Sequence, residues 1–277
     1  MIGTTEAQEQ HRDLGRGAGD PSRTWGPSVI DRVDTMIENE VLVTTKYGLQ
    51  HCFAACPDEP GRFPAIILYM DAPGIREELR DMARRIANAG YFCLLPDLYY
   101  RLGTIRFDIP RRSDAMSVVI RGAMQSLTNA AVCDDTGGML AYLDAQEKVK
   151  PGPVGCVGHC MSGPFALSVA ARFPRMKAAA SLYGVGMVTD QPDSPHLHLA
   201  AVKGELYIAF AETDPSVPAP VVPELKAALA NAGVKHVLET VPGTHHGYCF
   251  AARNDYNPIA AEATWVKLFD LWNRNLR

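Results

Sequence analysis

The sequence of 277 residues predicts an α/β fold in which helices cover both faces of one mostly parallel β-sheet. Short apolar segments alternate along the chain with segments of helical periodicity, the pattern of right-handed βαβ crossovers. Residues 65–70 are apolar throughout, as expected for a central parallel strand that is buried on both faces. The composition, 47% apolar and 21% charged, is that of an ordinary globular domain.

The elements follow in a regular order. Segments 40–45 and 49–55 predict an opening antiparallel pair, joined at Lys46-Tyr47-Gly48. Further strands are predicted over 65–70, 91–95, 153–157, 178–183, 205–211 and 236–241. Helices are predicted over 77–89, 131–148, 161–173, 221–232 and 259–275. The arginine-rich segment 99–129 is expected to form a loop and helix inserted over a site. Since ligands of such sheets bind at the carboxyl ends of the strands, functional residues are expected just after strands.

The domain organisation is simple. Residues 1–27 are rich in Gly, Arg and Glu, contain few apolar side chains, and predict a flexible N-terminal arm. Residues 28–277 are expected to form a single domain, which is within the usual size of α/β folds. The first twenty residues contain no apolar segment of the kind that a secretory signal requires.

Charge and cysteine content exclude several classes of protein. With 27 Lys and Arg against 31 Asp and Glu, the net charge is −4, so neither a nucleic acid nor an anionic membrane is an expected partner. No apolar run approaches the roughly 18–20 residues that cross a bilayer. Seven cysteines, an odd number, do not suggest a disulfide framework, which favours a reducing cytoplasm. The chain has no Gly-rich dinucleotide fingerprint and no complete set of metal ligands, so no cofactor and no metal are expected.

The strongest chemical signal is the segment Gly158-His159-Cys160-Met161-Ser162-Gly163. A short apolar strand leads through Gly-x-Cys-x-Ser-Gly directly into a helix, which is the context of a nucleophile elbow. So sharp a turn needs small residues two positions on either side of Cys160. The cysteine would then project above the sheet edge at a helix N-terminus, which favours a thiolate and a developing oxyanion. The alternative is a buried cysteine that packs at the start of a helix.

A thiol nucleophile needs a base and a group that orients the base, and both residue types follow in the expected order. Asp214 comes just after the predicted strand 205–211. His245 and His246 come just after the predicted strand 236–241. Taken singly, these would be turn and loop residues. The order nucleophile, acid, histidine, each just after a strand, predicts a Cys-Asp-His triad.

These motifs resemble those of the dienelactone hydrolase family of the α/β-hydrolase fold, and the resemblance covers roughly residues 41–275. The matching segments are the cysteine elbow, Pro96-Asp97-Leu98-Tyr99, Tyr183-Gly184-Val185-Gly186, Asp214-x-x-Val217-Pro218-Ala219-Pro220 and His246-Gly247-Tyr248.

The resemblance implies a role for each candidate. Cys160 corresponds to the nucleophile, Asp214 to the orienting acid and His246 to the base. His246 is preferred to His245 because the family histidine directly precedes a small residue and an aromatic one. The oxyanion hole would consist of the backbone N–H groups of Met161 and Ala72.

Asp71 stands where the family usually has a glutamate that contacts the resting thiol and is displaced by substrate. The aspartate side chain is one methylene shorter, so its reach to the thiol is an open question. The alternative is a turn aspartate in Asp71-Ala72-Pro73-Gly74.

A second departure concerns the substrate. The best-known member of the family binds a carboxylate with arginines, one of them four residues after the histidine, where this chain has Phe250. We therefore expect an apolar wall at Phe250, tyrosines such as Tyr99 and Tyr183 near it, and a neutral ester or lactone as substrate. The alternative is that Phe250 belongs to the core and that another arginine binds an anion. The candidates for that role are Arg253, Arg111, Arg112 and Arg121.

The sequence thus predicts a hydrolase that needs no cofactor and cleaves a small-molecule ester or lactone through an acyl-thioenzyme. The protein is expected to be a monomer or a homodimer. Two alternatives remain: a non-catalytic binding protein of the same fold, and an enzyme of this fold with another reaction. The intact triad argues against the first, since a binding module needs no nucleophile, base and orienting acid together.

Overall fold

The computed structural model describes residues 35–277. The expected N-terminal arm, residues 1–27, lies outside the described residues, as does the start of the expected domain. No helix within the described range is long and apolar enough to cross a membrane.

In the described part of the chain, eight strands form one sheet, in the order β1-β2-β4-β3-β5-β6-β7-β8. The strands are β1 (Met36–Thr45), β2 (Gly48–Pro57), β3 (Phe63–Tyr69), β4 (Phe92–Pro96), β5 (Val149–His159), β6 (Met176–Leu182), β7 (Glu205–Thr213) and β8 (Lys235–His245). β2 pairs antiparallel with β1 and with β4, and all other neighbours are parallel. This confirms the predicted mostly parallel sheet and its opening antiparallel pair.

Within residues 35–277, six α-helices accompany the sheet: α1 (Glu77–Asn88), α2 (Asp114–Gln125), α3 (Asn129–Asp144), α4 (Gly163–Arg172), α5 (Val221–Ala232) and α6 (Pro258–Leu276). Consecutive residues of β5 show that helices lie on both faces. Gly155 faces Leu276 of α6, whereas the Cys156 thiol points to the carbonyl oxygen of Ala166 in α4, 3.9 Å away. Because successive strand residues point to opposite faces, α4 and α6 cover opposite sides of the sheet.

Several boundaries differ from the sequence prediction. β1 begins at Met36 rather than at 40, β5 covers Val149–His159 rather than 153–157, and β8 continues to His245 rather than ending at 241. Two helices also differ. The helix expected over 131–148 ends at Asp144, because Val149 already starts β5 and pairs with Phe63 of β3. The helix expected from residue 161 begins at Gly163, after a single 3-10 turn over Cys160–Ser162. The segment 99–129, expected to form a loop and a helix, contains α2.

Two glycines inside helices provide a matched test of packing. A Cβ at Gly138 of α3 would overlap the carbonyl oxygen of Thr44 in β1, whereas a Cβ at Gly122 of α2 would meet no atom within 4 Å. We expect Gly138→Ala to lower the free energy of unfolding by about 1–3 kcal/mol through overpacking. Gly122→Ala should raise that free energy by roughly 0.5–1 kcal/mol, since alanine loses less backbone entropy in a helix. Urea unfolding of both variants measures these changes in the free energy of unfolding. Equal changes in the two variants would contradict the close packing of α3 on β1.

Candidate active site

The cysteine elbow follows directly from its glycines. Cys160 has φ +55°, in the left-handed region that costs a residue with a side chain roughly 1–2 kcal/mol. A Cβ at Gly158 would overlap the carbonyl oxygen of Ser162, and a Cβ at Gly163 would lie 2.5 Å from the Cα of Gly184. The sharp turn between β5 and α4 therefore requires both glycines.

The elbow is tied to two neighbouring loops. The hydroxyl of Ser162, fully buried, donates to the carbonyl oxygen of Met70 at the end of β3. The N–H of Val185, in the loop after β6, donates to the carbonyl oxygen of Cys160 over 3.1 Å. The carboxyl edges of β3, β5 and β6 thus meet around the thiol.

The register of β7 and β8 brings the acid and the histidine together. Thr213 pairs with His245, so Asp214 and His246 leave the two strands side by side. His246 Nδ1 lies 2.6 Å from Asp214 Oδ2. The other oxygen of Asp214 accepts the N–H of Ser216 over 2.9 Å. Because both oxygens are engaged, Asp214 is fixed in the orientation that holds the imidazole.

Cys160 also acts on the imidazole of His246. Burial lowers the pKa of His246, but hydrogen bonds to Asp214 and Cys160 and the negative charges of both groups raise it overall to about 9. The structure therefore places Asp214 and His246 side by side and close enough to Cys160 for the three groups to influence one another. His245 is exposed and ends β8.

The backbone N–H groups of Ala72 and Met161 each belong to a peptide group whose carbonyl oxygen accepts a hydrogen bond. Asp71 O accepts the N–H of Gly74 over 2.9 Å, and Cys160 O accepts the N–H of Val185. No described peptide bond is cis, so each N–H points away from its own bound carbonyl. A donor on the carbonyl oxygen also polarises the peptide group and strengthens its N–H as a donor.

Asp71 is buried and neutralised by arginines. Its Oδ1 accepts from Arg76 Nη1 and its Oδ2 from Arg253 Nη2, each over 2.6 Å. The bond from Gly74 to its carbonyl oxygen makes it a turn residue as well. No hydrogen bond joins Asp71 to Cys160 within residues 35–277. The geometry is thus that of a turn aspartate in an ion-pair cluster, and not that of a carboxylate resting on the thiol.

Phe250 lies inside this cluster. The guanidinium carbons of Arg76 and Arg253 lie 4.7 and 4.8 Å from the centre of its ring. The ring is fully buried, which differs from the expected apolar pocket wall. Arg253 reaches Asp71 past Gly247, where a Cβ would lie 2.6 Å from its Nη1. Glu78 closes the cluster, because it binds Arg76 over 2.8 Å and accepts the N–H of Ala252 over 2.9 Å.

Tyr183 and Tyr99 are also buried, and both contact other residues of the protein instead of facing an open pocket. Tyr183, with φ +41°, packs its ring edge-on against His246 and Tyr248, with 5.3 Å between ring centres in each case. The hydroxyl of Tyr99 donates to the carbonyl oxygen of Ala72 over 2.8 Å. These residues, expected to contact substrate, support the loops that carry the triad.

The remaining candidates lie elsewhere. Arg101, within the arginine-rich segment, pairs with the buried Asp135 over 2.6 Å. Arg111, Arg112 and Arg121 are exposed. All seven cysteines are free and buried. In the part of the chain that the structure describes, no group of three or more His, Cys, Asp or Glu side chains is arranged to hold a metal ion.

Sequence reasoning missed Arg76 and Glu78. Both belong to the loop and first turn that follow Asp71, and Arg76 is five residues from its partner. A buried aspartate followed closely by an arginine is a signal for an ion pair. It is not specific enough to identify a cluster that also recruits Arg253, which is 182 residues away in sequence from Asp71.

Comparison with known proteins finds a family whose model matches most of the chain. The model of the Dienelactone hydrolase family matches residues 51–276. A protein of Synechocystis named "Putative carboxymethylenebutenolidase" is 28% identical over 228 residues, which cover 81% of this chain and 92% of that protein. A Bradyrhizobium protein named "Probable 2-oxo-3-(5-oxofuran-2-ylidene)propanoate lactonase" is 26% identical over 84% of this chain and 92% of its own length.

Solved structures agree on the fold. The crystal structure titled "Putative Dienelactone Hydrolase", from Klebsiella pneumoniae, has a TM-score of 0.78 to this chain at 22% identity. The match covers 87% of this chain and all of the Klebsiella chain. A dienelactone hydrolase from Anabaena variabilis has a TM-score of 0.62 at 18% identity. The fold is therefore the α/β-hydrolase fold, as predicted.

Proposed function

This chain belongs to the dienelactone hydrolase family, and on that premise we propose that it hydrolyses a lactone or ester through a thioester on Cys160. The observation that carries the proposal is the left-handed backbone of Cys160 at the turn after β5, beside the loop in which Asp214 holds the imidazole of His246 at 2.6 Å. A small molecule enters as substrate, and the chemistry needs only water as co-reactant. The free state of all seven cysteines suits a reducing compartment such as the cytoplasm.

Acylation begins with a thiolate at Cys160 and an imidazolium at His246. The sulfur forms a bond with the carbonyl carbon, and the carbonyl electron pair moves to the oxygen. When the tetrahedral intermediate collapses, the bond to the leaving oxygen breaks, and His246 gives that oxygen its proton. In a lactone the leaving oxygen stays attached to the acyl group, so ring opening releases nothing before the second step.

The backbone N–H groups of Ala72 and Met161 would stabilise the oxyanion. Both residues are buried, at 7% and 5% exposure, so their dipoles act with little screening by water. Removing one such donor in other hydrolases costs about 2.7–4 kcal/mol of transition-state stabilisation. The bonds from Gly74 and Val185 to the same peptide groups hold these donors in place before substrate arrives.

Deacylation requires His246 to change its role. The thioester carries neither the charge nor the hydrogen-bond acceptor that Cys160 offers as a thiolate, and both raise the pKa of His246 in the free enzyme. Acylation therefore lowers the affinity of the imidazole for its proton, and His246 becomes able to take a proton from water. The hydroxide adds to the thioester, sulfur leaves as the thiolate, and the acid is released.

This chemistry favours esters and lactones over amides. A thiolate is both a good nucleophile and a good leaving group, so an intermediate with a poor nitrogen leaving group returns to substrate. The names of the Synechocystis and Bradyrhizobium relatives both denote lactone hydrolases, which supports a lactone as the substrate class.

The charge of the buried cluster indicates a neutral substrate. Arg76 and Arg253 are matched by Asp71 and Glu78, so the four formal charges cancel. A substrate carboxylate would have to displace Asp71 from both arginines and leave it buried without a partner, which costs several kcal/mol. Arg101 is already bound to Asp135. The arginines that contact the triad loops are thus engaged within the protein.

The nucleophile and base are tested first. Cys160→Ala should abolish turnover of p-nitrophenyl acetate at an unchanged melting temperature. His246→Ala should lower kcat by about 10²–10⁴, the usual contribution of general base catalysis. His245→Ala is the matched control, because His245 is exposed and should have only a small effect. Near-normal activity in Cys160→Ala would refute the nucleophile, and the reverse ranking of the histidines would move the base by one residue.

The pH profile follows from the raised pKa of His246, about 9. Below that pH the imidazolium can protonate the leaving oxygen, so kcat/KM should fall only above about pH 9. Asp214→Asn removes one cause of the raised pKa and should move this alkaline limb to lower pH. A limb at the same pH in wild type and Asp214→Asn would show that another group controls it.

Substrate charge is decided by a pair of lactones. One carries a free carboxylate and the other is its methyl ester. If the arginines are occupied as described, kcat/KM for the methyl ester equals or exceeds that for the acid. A preference of about tenfold or more for the anion, the scale of one charged hydrogen bond, would overturn the neutral-substrate proposal.

A further inference from the structure

Tyr99 lies in a turn that is rigid for identifiable reasons. The turn follows β4, and the Asp97 carboxylate accepts the N–H of Tyr99 over 2.9 Å. The carbonyl oxygen of Asp97 accepts from Gln50 Nε2 over 3.1 Å. Asp97 and Tyr99 are both buried. The motif Pro96-Asp97-Leu98-Tyr99 therefore positions one phenol ring with little freedom.

This ring contacts both loops that carry the proposed oxyanion donors. Its hydroxyl donates to the carbonyl oxygen of Ala72 over 2.8 Å and lies 3.3 Å from the sulfur of Met161. Its edge faces Gly74, where a Cβ would lie 3.7 Å from two ring carbons. The side chain is only 1% exposed, so it offers almost no surface to a substrate.

β3 and β5 pair up to Tyr69 and Gly158, and the two loops continue from there beyond the sheet. Gly74 fixes the peptide plane of Ala72, and Val185 fixes that of Met161. The bond from Gly74 lies within the loop after β3, and the bond from Val185 joins the cysteine elbow to the loop after β6. The tie from Ser162 to Met70 joins the elbow to the end of β3, but it stops two residues before Ala72. Beyond the sheet edge, Tyr99 adds a bridge between the two loops at Ala72 and Met161 themselves.

We propose that Tyr99 is a positioning residue that sets the spacing of the oxyanion hole, through its hydrogen bond to Ala72 and its contact with Met161. This inference rests on the proposed function, because it presupposes a tetrahedral oxyanion formed at Cys160. Burial raises the pKa of Tyr99 well above its ordinary value, so the hydroxyl stays a neutral donor at every assay pH.

The test is Tyr99→Phe, which keeps the ring and removes only the hydroxyl. Loss of one hydrogen bond predicts a fall in kcat of about three- to tenfold with KM nearly unchanged. The matched control is Tyr91→Phe, since Tyr91 is a buried tyrosine that donates to Asn273 Oδ1 over 2.6 Å and has no contact with the site. Its kinetics should equal those of the wild type.

Two probes separate the oxyanion hole from the nucleophile. The thiolate adds reversibly to the carbonyl carbon of 1,1,1-trifluoroacetone, whose oxygen then becomes an oxyanion, so its inhibition constant should rise by the same factor by which kcat/KM falls. Iodoacetamide alkylates the thiolate by displacing iodide and forms no oxyanion. Its rate with Cys160 should therefore be unchanged in Tyr99→Phe.

Each outcome has a distinct meaning. Unchanged kinetics in Tyr99→Phe, a loss confined to KM, or an equal loss in the alkylation rate would overturn the role of Tyr99. Failure of the proposed function itself would show in the wild type, as turnover that survives complete alkylation of Cys160. Alkylation also counts folded sites, so kcat is expressed per reactive thiol. If Tyr99→Phe does not fold, Asp97→Ala keeps the hydroxyl, loosens its turn, and should lower kcat with the same pattern.

Discussion

The site depends on the left-handed backbone of Cys160. Within the described residues only Cys160 and Tyr183 combine a side chain with a positive φ, and both lie at the carboxyl edge of the sheet beside His246. Such conformations persist only where the surroundings enforce them. Here the close approaches at Gly158 and Gly163 and the bond from Val185 to Cys160 O do so. This strained residue forms the sharp turn between β5 and α4.

Charge is arranged around this turn in two separate groups. In the first group, Asp214 holds the imidazole of His246 at 2.6 Å, and Asp214 and Cys160 raise the pKa of that imidazole. The buried cluster around Asp71 is instead neutral and closed, and it ties the loop after β3 to the loop after His246. The first group is suited to proton transfer. The second keeps the surrounding loops at fixed distances, because breaking a buried ion pair leaves a charge without a partner.

The fold and the sharp turn at Cys160 could be predicted because their signals are local. The apolar run at 65–70 and the Gly-x-Cys-x-Ser-Gly turn each determine structure within a few residues. The cluster of Asp71 with Arg253 could not be predicted, since it joins residues that are distant in sequence and depends on side-chain packing against Phe250. For the same reason the sequence suggested that Phe250 faces a pocket, whereas the ring is buried between two guanidinium groups.

The proposed mechanism requires a covalent thioester at Cys160. The most direct measurement is mass spectrometry of the enzyme quenched with acid during turnover of p-nitrophenyl acetate, followed by peptide mapping. This mechanism predicts an acetyl group on the peptide that contains Cys160 in the wild type, and no acetyl group on that peptide in Cys160→Ala. Turnover without any acyl adduct, or an adduct on another residue that disappears at the catalytic rate, would contradict it.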